Sequence, residues 1–310
     1  MQLQPFGNTG LMVSPLGFGG APVGYLGEQL KDVSHLLNTL LDEGVNLIDT
    51  AACYPGSETL VGAAVGHRRS EYVLVTKCGH EVDGARGLEW SARLVTNTVN
   101  RALRRLRTDT IDVMLLHSCP LPVLQRGDAL AALVRARDQG KIRFVGYSGD
   151  NEAAAYAAGL SDVAVVQTSV NICDQSNIDS VLPRTREGGQ GVLAKRPLAN
   201  AAWKNVSDQR GIYQNYARSY MARLQSMGFT LDDLGFEGDP ARVWPGIALR
   251  FTLSQPGVHC AIAGTTSIHN ARANIRAAGE GPLADPVVKK IRRAFLSARS
   301  RSGEDWPGLT

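Results

Sequence analysis

"NLIDTAACYPGSE", residues 46–58, begins as an apolar run and ends in turn chemistry. Leu47 and Ile48 read as the end of a buried strand, and Pro55, Gly56 and Ser57 as a loop that leads into a helix. Asp49 stands where the strand should still be apolar, and Tyr54 follows five residues later in the loop. What such a carboxylate does there depends on what the neighbouring strands bring to it.

The same rhythm of short apolar run and helix-length amphipathic segment repeats along the chain. The runs are "VSPLGFG" 13–19, "NLIDT" 46–50, "YVLVTK" 72–77, "IDVMLLH" 111–117, "RFVGYS" 143–148, "VAVVQT" 163–168, "GVLAK" 191–195 and "CAIAG" 260–264, eight in all. Several are apolar nearly throughout, as in parallel strands covered on both faces. Between them, residues 91–106 place Val95, Val99, Ala102, Leu103 and Leu106 on one helical stripe, and Arg101, Arg104 and Arg105 fall mostly off it, as a solvated face would. Eight βα units predict an α/β fold, a (β/α)8 TIM barrel forming a single domain over residues 1–310. Two connections are long for such a domain, residues 79–90 after the third strand and roughly 198–238 after the seventh, and long connections serve as lids or substrate walls.

At 310 residues and 44% hydrophobic, the chain can bury a large core, and its net charge of +4 is spread among mixed signs. That balance argues against a nucleic-acid surface and leaves room for a small anionic ligand. No stretch approaches the roughly 20 apolar residues of a membrane span, and the opening lacks a secretory pattern. A soluble cytoplasmic protein is expected. Cys53, Cys78, Cys119, Cys173 and Cys260 are odd in number and form no CxxC pair, so they read as free thiols that fill space near the strand ends. Cys53, Cys78, Cys119 and Cys173, just past strand ends, raise with His80 and His117 a metal site as a possibility, but the tight paired spacing of zinc ligands is missing.

In a TIM barrel, polar residues that close apolar strands point into the mouth. The second, third and fourth strands end in Asp49, Lys77 and His117, and Tyr54 sits on the loop between the first two of these. Singly, each has an ordinary structural explanation: a turn-forming Asp, a snorkelling Lys, a satisfied core His. Together on adjacent strands they form a constellation. A tyrosine with a pKa of about 10 moves protons poorly at neutral pH unless a cation favours its phenolate, and Lys77 is the cation at hand. Asp49 would hold Lys77 in place, and a neutral His117 would orient a substrate oxygen. No base-activated Ser or Cys accompanies them. The set suits proton delivery to a carbonyl oxygen, with electrons brought by something else.

These stretches, with "VLVTKCG", "DVMLLHSCP", "FVGYS", "VVQTSVN" and "AGTTSIHNARAN", resemble the aldo-keto reductases over essentially the whole chain. The resemblance implies reversible hydride transfer between a nicotinamide cofactor and an aldehyde or ketone, or the matching alcohol or sugar, with Tyr54 as general acid/base and Asp49, Lys77 and His117 beside it. It places the nicotinamide carboxamide on Ser148 and Gln167, with Gly149 where an Asn is usual. After the seventh strand it brings Lys195, Arg196 and Leu198 to the cofactor, and Lys195 takes the position of a stacking aromatic. It implies that Gly264, Thr265, Thr266, Asn270 and Asn274 hold the adenosine side. The glycine-rich "GFGGAPVG" at 17–24 does not fit a dinucleotide GxGxxG, and Gly20 is taken as a tight turn that lets backbone approach the cofactor. NADP(H) is expected over NAD(H), with Arg272 or Arg276 taking the 2′-phosphate in place of Asn270.

Two rival classes stay open: a cofactor-binding regulatory barrel without turnover, and a metal-dependent barrel hydrolase or lyase. Tyr213, Tyr216 and Tyr220 read as a packing stripe, and Trp306 as either part of a substrate wall or a frayed tail. The expected partner is a small carbonyl or alcohol substrate, with no nucleic acid and no membrane; the oligomeric state is not legible.

Overall fold

The structure, a computed structural model, describes residues 1–211 and 213–309. Eight parallel strands close into a barrel: β1 (Leu16–Gly19), β2 (Leu47–Asp49), β3 (Val73–Cys78), β4 (Ile111–His117), β5 (Ile142–Ser148), β6 (Val163–Ser169), β7 (Gly191–Lys195) and β8 (Cys260–Ala263). Helices connect successive strands on the outside, and β8 closes the ring by pairing with both β7 and β1.

The first apolar run divides. Its leading residues Met12–Val13 pair antiparallel with Gln4–Pro5, and β1 proper starts only at Leu16. This hairpin brings Phe6 and Val13 into the cluster of Leu47, Val75, Val113, Leu115, Val165 and Leu193 that fills the barrel interior. A larger cluster lies between strands and helices, where Leu36, Leu37, Val61, Val95, Val99 and Leu106 meet the outward faces of Leu74, Met114 and Leu116. Each of these side chains contributes about 1.5–3 kcal/mol by leaving water.

The segment after β7 is not bare loop, since it contains a helix over Tyr213–Met227, followed by another over Pro240–Leu253. With Asp285–Ser302 these helices form a third core around Trp244, Phe251, Phe295 and Trp306. The helix Ala92–Leu106 starts where Ser91 accepts the Leu94 amide, and Val95, Val99, Ala102 and Leu106 are buried as the periodicity predicts. Arg101, expected on a solvated face, is buried instead. Its guanidinium donates to Glu58 Oε2 at 2.6 Å and to the Asp83 carbonyl at 2.7 Å, and a buried guanidinium persists only with such partners. Among the described residues no helix is long and apolar enough to cross a membrane.

Candidate active site

Side chains alternate across a strand, so Thr76 and Lys77 of β3 face opposite ways. Thr76 turns outward and donates to Glu58 Oε1 at 2.9 Å. Lys77 turns inward, is 1% exposed, and places its Nζ 2.8 and 2.7 Å from the two oxygens of Asp49 and 2.8 Å from the Thr50 carbonyl. An ammonium has three protons, and these three acceptors use them. Asp49 Oδ1 also accepts from Gln167 Nε2 at 2.9 Å. Burial raises the Asp49 carboxyl, opposed by Lys77 and Gln167.

Tyr54 lies over this pair, with Lys77 Nζ 5.2 Å from its ring centroid. The His117 ring meets it edge-on at 6.0 Å and Tyr25 tilts against it at 5.6 Å. Burial first, and then the charge of Asp49, push the Tyr54 hydroxyl well above its ordinary value. The three hydrogen bonds of Lys77 go to Asp49 and the Thr50 carbonyl, so its ammonium acts on the phenol through the ring face. Burial and the charges of Lys77 and Lys195 hold His117 well below the usual imidazole range, so it is neutral. Cys53 Sγ stands 3.4 Å from His117 Nδ1, and His80 Nε2 donates to the His117 carbonyl at 2.9 Å.

The registers align the next residues. His117 pairs with Ser148 and Ser148 with Gln167 across β4, β5 and β6. Ser148 Oγ donates to Gln167 Oε1 at 2.9 Å. Lys195 closes β7, and its Nζ lies 2.8 Å from Asp150 Oδ2.

One cavity of about 1280 Å³ joins these groups. Asp49, Tyr54, His117, Ser148, Gln167 and Lys195 line its inner end; Arg196, Leu198, Gly264, Thr265 and Thr266 line its course; Asn270, Asn274, Arg276 and Glu280 line its outer end. Lys77 stands behind Asp49 rather than in the wall. Gly20 also stands behind it, its amide donating to the Asp49 carbonyl at 2.7 Å, and Gly19, Ala21 and Pro22 line the cavity in its place. Arg272 does not reach the cavity, because it pairs with Glu43 at 2.7 Å.

Sequence reasoning missed part of the wall. Tyr25, at the end of the short helix Ala21–Tyr25 after β1, lines the cavity, as do Tyr213 and Tyr216; of the expected packing stripe only Tyr220 is buried, its hydroxyl donating to Asp174 Oδ2 at 2.9 Å. An aromatic residue a few positions past a strand end, the signal that singled out Tyr54, would have found Tyr25. Trp306 is neither wall nor frayed end, since it packs buried against Phe295 with ring centroids 5.2 Å apart. After β7 the backbone is strained: Arg196, Ala199, Asn200 and Ala201 are left-handed, with φ between 44° and 56°.

The residues present fit a nicotinamide dinucleotide. The cavity exceeds the roughly 300–1,000 Å³ of a single small-ligand site and so has room for cofactor and substrate together. At Gly264 the backbone comes so close to Pro22 that a Cβ would lie 2.8 Å from its Cγ, which leaves the peptide edge bare toward the cavity.

Residues 15–295 match the aldo/keto reductase family. The chain is 25% identical to L-galactose dehydrogenase of Arabidopsis thaliana, covering 90% of this chain and 89% of that one. It is also 25% identical to a probable voltage-gated potassium channel subunit beta of the same plant, over 97% and 98%. Its fold superposes with a TM-score of 0.78 on the holo form of aldo-keto reductase AKR11C1 from Bacillus halodurans, 25% identical over 95% of this chain and 96% of that one. With its closed parallel barrel and this match over most of its length, the chain belongs to the aldo/keto reductase family of oxidoreductases.

Proposed function

We propose that the protein is an NADP(H)-dependent carbonyl reductase or alcohol dehydrogenase acting on small aldehydes, ketones, alcohols or sugars. The observation that carries this reading is the pairing of a protonated Tyr54 with a neutral His117 at one cavity end, above the Lys77 and Asp49 pair. A bound nicotinamide cofactor supplies or takes up hydride. In reduction, Tyr54 gives its hydroxyl proton to the carbonyl oxygen; in alcohol oxidation it receives one. A neutral His117 hydrogen-bonds the same oxygen and orients it without competing for that proton. Lys77 holds Asp49 and steadies the phenolate left when the proton departs, through the ring face rather than by a hydrogen bond of its own. Ser148 and Gln167, already bonded to one another, offer the carboxamide-binding edge. The NADP(H) preference rests on Arg276 at the outer end, where a guanidinium suits a 2′-phosphate.

The test is Tyr54→Phe. It should lower kcat by about 100-fold or more while leaving the Kd for NADPH within about twofold, because the phenol acts mainly in the transition state. A variant with near-normal kcat removes Tyr54 from this role. The likeness to a channel subunit favours a second reading, a cofactor-binding barrel with little turnover. Rapid-mixing measurement of cofactor oxidation on carbonyl addition separates the two.

A further inference from the structure

Lys195 is the charge at the barrel mouth that the chemistry above leaves unused. It closes β7 beside Ser169 of β6, and its side chain is 15% exposed whereas its partner Asp150 is 0% exposed. The ammonium therefore faces the cavity and the carboxylate lies behind it. Asp150 does not reserve its charge for Lys195. Its Oδ1 accepts from Thr168 Oγ1 at 3.0 Å, the Ser169 amide at 2.7 Å and Asn177 Nδ2 at 2.9 Å. The guanidinium of Arg196 adds a second positive charge next to it, bound to the Leu309 carbonyl and lying over the Tyr216 ring at 5.8 Å. The field of Lys195 reaches the site, since it contributes to lowering both Asp49 and His117.

The oxidised nicotinamide ring carries a positive charge and the reduced ring is neutral. An aromatic plane would receive both, whereas an ammonium in the wall repels only the charged one, and beside the low-dielectric protein that repulsion is screened less than in bulk water. We infer that Lys195 sets the balance between the two cofactor forms, making the site bind the reduced nicotinamide in preference to the oxidised one. The bound couple is thereby shifted toward the reduced form, which in this pocket favours oxidation of an alcohol or sugar over reduction of a carbonyl at the stage of the ternary complex. This rests on the reading of the cavity as a nicotinamide site. Because hydride transfer is reversible, the overall equilibrium of the reaction is unchanged; only the share of each bound form moves.

The experiment measures Kd for NADP+ and NADPH by titration of protein fluorescence in the unaltered protein, in Lys195→Met, which keeps the length and removes the charge, and in Lys195→Arg, which keeps the charge. The expected result is a Kd ratio of NADP+ to NADPH that falls about tenfold in Lys195→Met, equivalent to about 30 mV for a two-electron couple, and stays within about threefold in Lys195→Arg. Equal weakening of both forms in Lys195→Met, or an unchanged ratio, would assign Lys195 to packing and overturn the inference. Absence of binding by either form to the unaltered protein would instead remove the nicotinamide reading itself. Circular dichroism of each variant separates these outcomes from loss of fold.

Discussion

Gln167 Nε2 donates to Asp49 Oδ1 at 2.9 Å, so the side chain proposed to hold the nicotinamide carboxamide is bonded to the carboxylate that anchors Lys77. Gln167 and Lys77 therefore share one acceptor, Asp49 Oδ1, which would couple cofactor binding to proton chemistry in the proposed function. Gln167→Ala and Asp49→Asn should each weaken NADPH binding, and the double variant should lose less than the sum, with a coupling of about 1 kcal/mol or more. Additive losses in Kd would show that the contact transmits nothing.

The far end of the cavity separates two arginines that the sequence alone treated alike. Arg276 lines it, and Arg272 is held away by Glu43. Arg276→Ala should cut the preference for NADPH over NADH, measured as kcat/KM, by about tenfold, the worth of one charge-assisted contact, and the effect should shrink at high salt. Arg272→Ala should leave the preference unchanged. The opposite assignment of effects would mean that the adenosine end is read wrongly.

Arg101 and Glu58 form a buried pair at 2.6 Å that ties the helix after β3 to the helix after β2. Removing one partner strands the other charge, so Arg101→Met should cost about 3–5 kcal/mol in urea unfolding, whereas Arg104→Ala on the exposed face should cost about 0.5 kcal/mol or less. Pairing Arg101→Met with Glu58→Leu should recover part of the loss. Similar costs at positions 101 and 104 would contradict the burial of Arg101.

Burial raises the Asp174 carboxyl to about 6, against hydrogen bonds from the Leu309 amide and the Tyr220 hydroxyl. The folded protein then holds this proton more tightly than the unfolded chain, whose Asp titrates near pH 3.9. The stabilisation is complete below about pH 4 and is lost as pH rises through about 6. Above that, the ionised, buried carboxylate costs the fold about 3 kcal/mol. Asp174→Asn should flatten this part of the stability profile and raise Tm at pH 7.5 relative to the unaltered protein. A profile that keeps its slope between pH 4 and 6 would place the titration elsewhere.

The barrel was legible because each strand carries its own signal: β3 and β4 are largely apolar runs with Lys77 and His117 near their ends, and no long-range contact is needed to recognise them. The inner residues of the candidate site were legible for the same reason, since position at a strand end fixes where Asp49, Lys77 and His117 point. What escaped depended on partners distant in sequence. Arg101 reads as surface until Glu58 and the Asp83 carbonyl are seen to enclose it. Arg272 looks free until Glu43, after the helix that follows β1 and brought alongside by closure of the ring, takes it. Val13 was assigned to the first barrel strand because its run was read straight across Ser14 and Pro15, whereas its pairing with Gln4 gives it a different role. The hydrogen bonding of Lys77 was hidden for the same reason: the sequence shows which charges are near, but not that all three lysine protons go to Asp49 and the Thr50 carbonyl.

Lys77 and Thr76 owe their opposite destinations to nothing but the parity of a strand. Insert a single residue early in β3 and the hydroxyl would be presented to the Asp49 carboxylate while the ammonium faced Glu58 among the helices; insert two and each group regains its side. Length changes in this strand are thus felt as odd or even. Residues 79–90, expected to wall the substrate, do not line the cavity, and a loop graft there has only to preserve that parity upstream of Lys77.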